Sequence, residues 1–126
     1  MNDFREFIKE KCLAFSVQIV ELYKVLSNKN EYVLSKQMLR SGTSIGANLV
    51  EAQNAVSKAD FVAKIYISLK ECAETEYWLE LLKRTKYITE EEYKTIASEC
   101  EEIKKILMAS VRTATDSKGS DAADKK

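Results

Sequence analysis

Apolar residues recur along this chain at spacings of three and four, the period that places them on one side of an α-helix. The first such line, Phe4, Ile8, Phe15, Ile19, Leu22 and Leu26, predicts a helix over about 3–27, with Asn2 or Asp3 as its N-cap. A polar break, Ser27-Asn28-Lys29-Asn30, follows it. A second helix is predicted from near Glu31, with Leu34, Met38, Ile45, Leu49, Ala52 and Val56 on one face. Ser57-Lys58-Ala59-Asp60 then has the form of a capping box, where a hydroxyl and an acid each take an unpaired backbone N–H at a helix start. The third helix should reach about Lys86, with Phe61, Ile65, Leu69, Cys72 and Leu79 turned inward. Thr89-Glu90-Glu91-Glu92 is a second capping box, and its acids suit the positive end of a helix dipole. The fourth helix carries Tyr93, Ile96, Cys100, Ile103 and Leu107 and should end near Thr113. Short connections force successive helices to be antiparallel neighbours. The expected fold is therefore all-α, an antiparallel up-down-up-down four-helix bundle over 1–115. Residues 116–126 hold no large apolar side chain and cannot offset their ordering entropy by burial, which predicts a disordered tail.

Composition strengthens the helical reading and narrows the chemistry. The 126 residues include no proline and only three glycines, the residues that turns and sheet edges mostly use. Twenty Lys and Arg balance twenty Asp and Glu, so no global basic field draws the protein onto nucleic acid, although a local patch remains open. Lys83, Arg84 and Lys86, together with Lys104, Lys105 and Arg112, are candidates for such a patch and for RNA contact. Cations at a helix C-terminus also simply complement its dipole. The three cysteines, Cys12, Cys72 and Cys100, are odd in number and widely spaced. They suit small hydrophobes in a reducing cytoplasm better than a disulfide framework or zinc cluster. The charged N-terminus is unlike a signal peptide, and no run is apolar enough to span a bilayer. There is no histidine, which removes di-iron Glu-x-x-His ligation, the commonest general base and any His-activated nucleophile. No Gly-rich phosphate loop is present either. The expectation is a protein that is not an enzyme, with no cofactor, no metal, no membrane partner and no evident small-molecule substrate.

Two helices carry more apolar surface than one core face needs. Beside its main stripe the third helix has a second line, Ile67, Glu71, Glu74, Trp78 and Leu81, at spacings of four, three, four and three. The first helix adds Leu13, Val17 and Val20 behind its main face. Single surface hydrophobes are common, but two independent stripes, one with the only Trp, predict an oligomer interface at Leu13, Val17, Val20, Ile67, Trp78 and Leu81. The fourth helix has no such excess; Glu91, Lys94, Glu101, Glu102, Lys105 and Arg112 fill its outer side.

The second helix also carries a polar seam, Gln37, Arg40, Ser44, Asn48 and Glu51, beside its apolar face. Gly42 and Gly46 lie together on another face, where they let a neighbour approach closely or weaken the helix. Glu76 falls inside the main apolar stripe of the third helix, and a carboxylate there needs a partner. Arg40, Ser44 and Asn48 are the expected partners. The seam is either a buried network that fixes helix register or a ligand or RNA site built on the same residues.

The segments Leu39-Arg-Ser-Gly-Thr-Ser-Ile-Gly-Ala-Asn-Leu-Val-Glu51, Ser57-Lys-Ala-Asp-Phe61 and Lys70-Glu-Cys-Ala-Glu-Thr-Glu-Tyr-Trp-Leu79 resemble the four-helix-bundle family of 23S rRNA-intervening sequence proteins. The accessory variability proteins of diversity-generating retroelements are similar. The resemblance implies a bundle that assembles into a homopentameric ring. It also implies an association with RNA or a ribonucleoprotein, since the retroelement members are strongly basic and bind RNA and a reverse transcriptase. The intervening-sequence members have no settled activity. Carried over by position, the motif residues are Arg40, Ser41, Ser44, Asn48, Glu51, Glu71, Glu74, Thr75 and Trp78. Ala52 stands where the family usually has Gly, and the zero net charge sets this chain apart from the basic members. The function implied is a non-enzymatic homo-oligomeric scaffold associated with RNA or a ribonucleoprotein. The alternative is a protein-interaction adaptor that never touches nucleic acid.

Overall fold

The computed structural model describes the backbone of residues 3–124 and the side chains of residues 3–116. Four helices follow in order: α1 (Asp3–Asn28), α2 (Val33–Gln53), α3 (Lys58–Arg84) and α4 (Glu90–Asp124). Asn2, one of the two expected N-caps of α1, lies outside the described residues. Each helix packs on its neighbours in the chain, and α1 also meets α4, with no close backbone approach across either diagonal among the described residues. The helices thus stand at the corners of a square in chain order. Side-chain pairs run in opposite directions along neighbouring helices. Arg5 meets Gln53 where α1 begins and α2 ends, and Ile19 meets Gly42. On the next edge Glu51 meets Lys64 and Arg40 meets Glu74. Four-helix packing closes around a core of Ile8, Phe15, Ile19, Met38, Ile45, Ile65, Leu79, Ile103 and Leu107, with the three cysteines among them.

The helix ends show how the local sequence works. Both expected capping boxes form. Ser57 Oγ accepts the Asp60 N–H at 3.0 Å, and the Asp60 carboxylate reaches back to the Val56 N–H. Thr89 and Glu92 bond reciprocally, each side chain accepting the other's backbone N–H. The start of α2 uses a different device. Glu31 is buried, and its carboxylate accepts the N–H groups of Val33, Leu34 and Ser35 at 3.0, 2.9 and 2.6 Å. These are N–H groups that a helix start leaves without intrahelical partners, so the regular helix begins two residues beyond Glu31 rather than at it. At the ends of α1 and α3, Asn30 and Lys86 take positive φ angles of 66° and 69°. The next N–H in each case returns to a carbonyl five residues back, Glu31 to Leu26 and Tyr87 to Leu82. That is the Schellman arrangement.

The expected core and the expected end of α4 both change. Val56 lies past the end of α2 and is 94% exposed, and Phe4, at the first turn of α1, is also exposed. Leu82, Ile88 and Val111, absent from the expected stripes, are buried. Helix α4 runs eleven residues past Thr113 to Asp124, because no proline interrupts it. Most of the expected tail, 116–126, lies outside the described side chains; the structure gives only the helical backbone through Asp124.

The two α2 glycines face α1. A Cβ on Gly42 would lie 2.9 Å from both Cγ1 and Cγ2 of Ile19, and one on Gly46 would lie 3.2 Å from Cys12 Cβ. At both positions α1 approaches closely, as one of the two readings of this face required.

Candidate functional site

Part of the polar seam, Arg40, Glu71 and Glu74, meets along the outer edge where α2 packs on α3. Arg40 is 54% exposed and bonds the Glu74 carboxylate, with Glu71 at 3.7 Å as a second counter-charge. The Trp78 indole N–H donates to the same Glu74 oxygen at 3.0 Å. Trp78 and Arg40 together hold the Glu74 carboxyl below its ordinary pKa, and Glu74 in turn keeps Arg40 protonated. Glu51 closes the other end of the seam on Lys64 at 2.9 Å. Ser44 and Asn48 turn back onto their own helix, bonding the Arg40 and Ser44 carbonyls. One oxygen of Glu71, Oε1, is buried without a hydrogen-bond partner among the described residues.

Glu76 is not part of this seam. Its carboxylate pairs with Lys104 of α4, at 3.1 and 3.3 Å, on the opposite side of α3. The expected pairing with Arg40, Ser44 or Asn48 is therefore corrected. Residue 76 precedes Leu79 on the flank of the core stripe that faces α4, whereas 71 and 74 share the flank that faces α2. Arg40 is also no buried charge.

Buried hydroxyl hydrogen bonds do link α2 and α3, but on other residues than the seam. Thr75 Oγ1 stands 2.9 Å from Ser41 Oγ and 2.7 Å from the Glu71 carbonyl, and Ser68 donates to the Ile45 carbonyl at 2.8 Å. All of these hydroxyls are fully enclosed between α2 and α3. Ser41 and Thr75 belong to the motif carried by the resemblance. Ser68 was passed over, and the signal that could have found it is a small hydroxyl residue at the spacing of the inner stripe, three residues after Ile65.

Of the expected interface residues, Leu13, Val17 and Ile67 are 48%, 59% and 38% exposed, while Val20, Trp78 and Leu81 are half-buried. Trp78 leans on the core and sets its ring edge-on to Tyr77, centroids 5.1 Å apart. The α1 trio and the α3 trio sit on diagonally placed helices and so form two separate faces. Among the expected RNA contacts, Arg84 is paired with Glu80 through Nε and Nη2. Lys83 lies 3.9 Å from Glu90 and 4.3 Å above the Tyr93 ring. Lys86 is the exposed residue at the left-handed end of α3.

The cysteines offer little chemistry. Cys100 Sγ donates to the Cys72 carbonyl at 3.7 Å, and all three are buried. Burial pushes the Cys12 thiol up to about 12, and a hydrogen bond with Cys100 followed by burial pushes Cys72 upward as well. A thiol so raised stays protonated and is a poor nucleophile. Among the described residues no three His, Cys, Asp or Glu side chains stand where they could share a metal ion.

The family model of the 23S rRNA-intervening sequence proteins matches residues 7–109, which takes in most of α1, the whole of α2 and α3, and the first part of α4. The chain belongs to this family. A solved structure from Bacteroides thetaiotaomicron, described as a protein of unknown function from the S23 ribosomal protein family, shares 57% sequence identity with it. The match covers 82% of this chain and 97% of that one, with a TM-score of 0.81. No curated protein matches the chain. No helix among the described residues is long and apolar enough to cross a membrane.

Proposed function

We propose that this family member is a non-enzymatic, homo-oligomeric helical scaffold of the cytoplasm that associates with RNA or a ribonucleoprotein. The observation that carries the reading is the apolar surface left outside the core on α1 and α3, at Leu13, Val17 and Ile67 above all. These two outward faces cannot cover one another within a chain, because α1 and α3 stand at opposite corners of the square. A second copy can cover them. The α1 face of one copy against the α3 face of the next is a heterologous contact, which closes into a ring when its rotation allows. The resemblance to pentameric bundles supports five copies. The family's name supports an RNA partner, and the lack of histidine together with the burial of all three thiols supports the non-enzymatic reading.

One observation favours the second reading, an adaptor that does not touch nucleic acid. Arg84 is paired with Glu80 and Lys83 lies 3.9 Å from Glu90 of the same chain, so at this helix end phosphate contacts would compete with acids of the chain itself. RNA binding should then be modest and steeply salt-dependent, since each neutralised phosphate releases counterions. Titration of structured rRNA fragments at low and physiological salt, with wild type and a Lys83/Arg84/Lys86→Glu variant, separates the readings. Salt-sensitive binding that the variant loses supports the RNA role at this helix end. Absence of binding even at low salt removes it and leaves the adaptor.

A further inference from the structure

The edge between α1 and α4 is a long, shallow groove holding two clefts of about 500 and 540 Å³. Ala14, Val17, Leu22 and Ile96 make its apolar floor, with Phe7 at one end. Val17 belongs to the α1 face already described. The banks are acidic. Glu6, Glu10 and Glu99 line one cleft and Glu21, Glu91 and Glu92 the other, against one lysine, Lys11. That lysine is already paired with Glu102 and lies over the Phe7 ring. Glu21 has Lys24 at 3.6 Å, and Glu92 caps α4. Glu6, Glu10, Glu91 and Glu99 have no counter-charge among the described residues. Lys9, in register with Arg5, Cys12 and Ser16, stands on the side of α1 that faces α2.

The outward face of α3 has the opposite character. Its exposed line includes Tyr66, Ile67, Lys70 and Tyr77. The acids on its flanks are taken: Glu74 and Glu71 face Arg40, Glu76 holds Lys104, and Glu80 holds Arg84. Lys70 has no counter-charge among the described residues. An acidic groove seated on a copy of itself sets like charges together, which is costly, whereas an apolar ridge bearing a free lysine complements it. Resting on the oligomer reading above, we propose that the α1–α4 groove of one copy receives the α3 ridge of the next. Lys70 enters between the carboxylates of Glu10 and Glu99, and Tyr66, Ile67 and Tyr77 cover the apolar floor. Charge thereby selects the head-to-tail contact, the kind that closes into rings, over a symmetric one.

The test is charge reversal in the full chain, read as solution mass by light scattering, with circular dichroism as the fold control. Glu10→Lys with Glu99→Lys should raise the concentration at which the assembly dissociates by about tenfold or more, and Lys70→Glu should do the same. None of the three residues is buried, so the helical signal should stay. Should a reversal lose it, Glu10→Gln and Lys70→Gln serve instead, with a smaller loss of the same sign. The variant carrying all three reversals restores opposite charges across the contact and should reassemble, a rescue that simple damage to either surface would not give. A wild-type assembly that ignores the reversals, or a combined variant no better than its parents, overturns the proposal and leaves the oligomer standing. A monomeric wild type removes the oligomer reading and this contact with it, leaving the groove to a basic partner of another sequence.

Discussion

At Gly42 the packing of α2 on α1 leaves room for a hydrogen and nothing larger. An added methyl would sit 2.9 Å from two Ile19 carbons on a core side chain with no free space to retreat into. Gly42→Ala should therefore cost about 1–3 kcal/mol despite the better helix propensity of alanine. A double-mutant cycle with Ile19→Ala should show favourable coupling, read from urea midpoints. An unchanged midpoint in Gly42→Ala would mean that the helices are not in this contact. Glu31 gives a residue-scale prediction with a pH sign. Burial alone would push its carboxyl up, but the N–H groups of Leu34, Ser35 and Val33, with the Ser35 hydroxyl, carry it below its ordinary 4.5. A depressed folded pKa means the stabilisation is complete above the unfolded value and is lost as pH falls through the folded one. Glu31→Gln should cost about 1–3 kcal/mol near neutrality, and the gap to wild type should close as pH drops below 4.5. A gap that stays constant into acid would contradict the capping role. Residue-scale detail was also where the sequence was hardest to read. Glu76 looked like a partner for Arg40 because both flank apolar stripes on neighbouring helices. Which flank faces which neighbour depends on the rotation of α3 about its axis, and only packing sets that.

Elements were far more legible, because helix periodicity and capping chemistry are local. Ser57–Asp60 and Thr89–Glu92 fixed two helix starts through bonds that span three residues. What failed was equally local in cause. Glu31 looked like the first residue of α2, but its side chain serves as the acceptor for that helix's start. The expected stop of α4 rested on the loss of apolar residues, which removes the reason to pack without forbidding helical backbone. Helix α3 is apolar on two sides, so its spacing alone could not say how deeply Trp78 sits. The ends of α1 and α3 close on Asn30 and Lys86 in the left-handed region, and a lysine has no special tolerance for it. Lys86→Gly should raise stability by about 1 kcal/mol, measurable as a higher urea midpoint. Destabilisation would show that the α3 end does not adopt this turn.

For the whole molecule, the bundle and the family follow directly from the chain, whereas assembly and partners depend on surfaces that a single copy leaves open. The α1 and α3 stripes were visible in the sequence as an excess of apolar positions. Their separation onto two diagonal corners was not, since it follows from the order of helices around the square. In the proposed assembly that separation makes the contact directional, one face of each copy meeting the other face of the next. Trp78→Ala combined with Leu81→Ser should dissociate the proposed assembly while far-ultraviolet circular dichroism stays helical, because neither side chain is among the fully buried core. The most direct measurement is the solution mass by multi-angle light scattering at micromolar concentration. The account predicts several times the 14.4 kDa of one chain, close to five copies; a clean monomer at that concentration would contradict it.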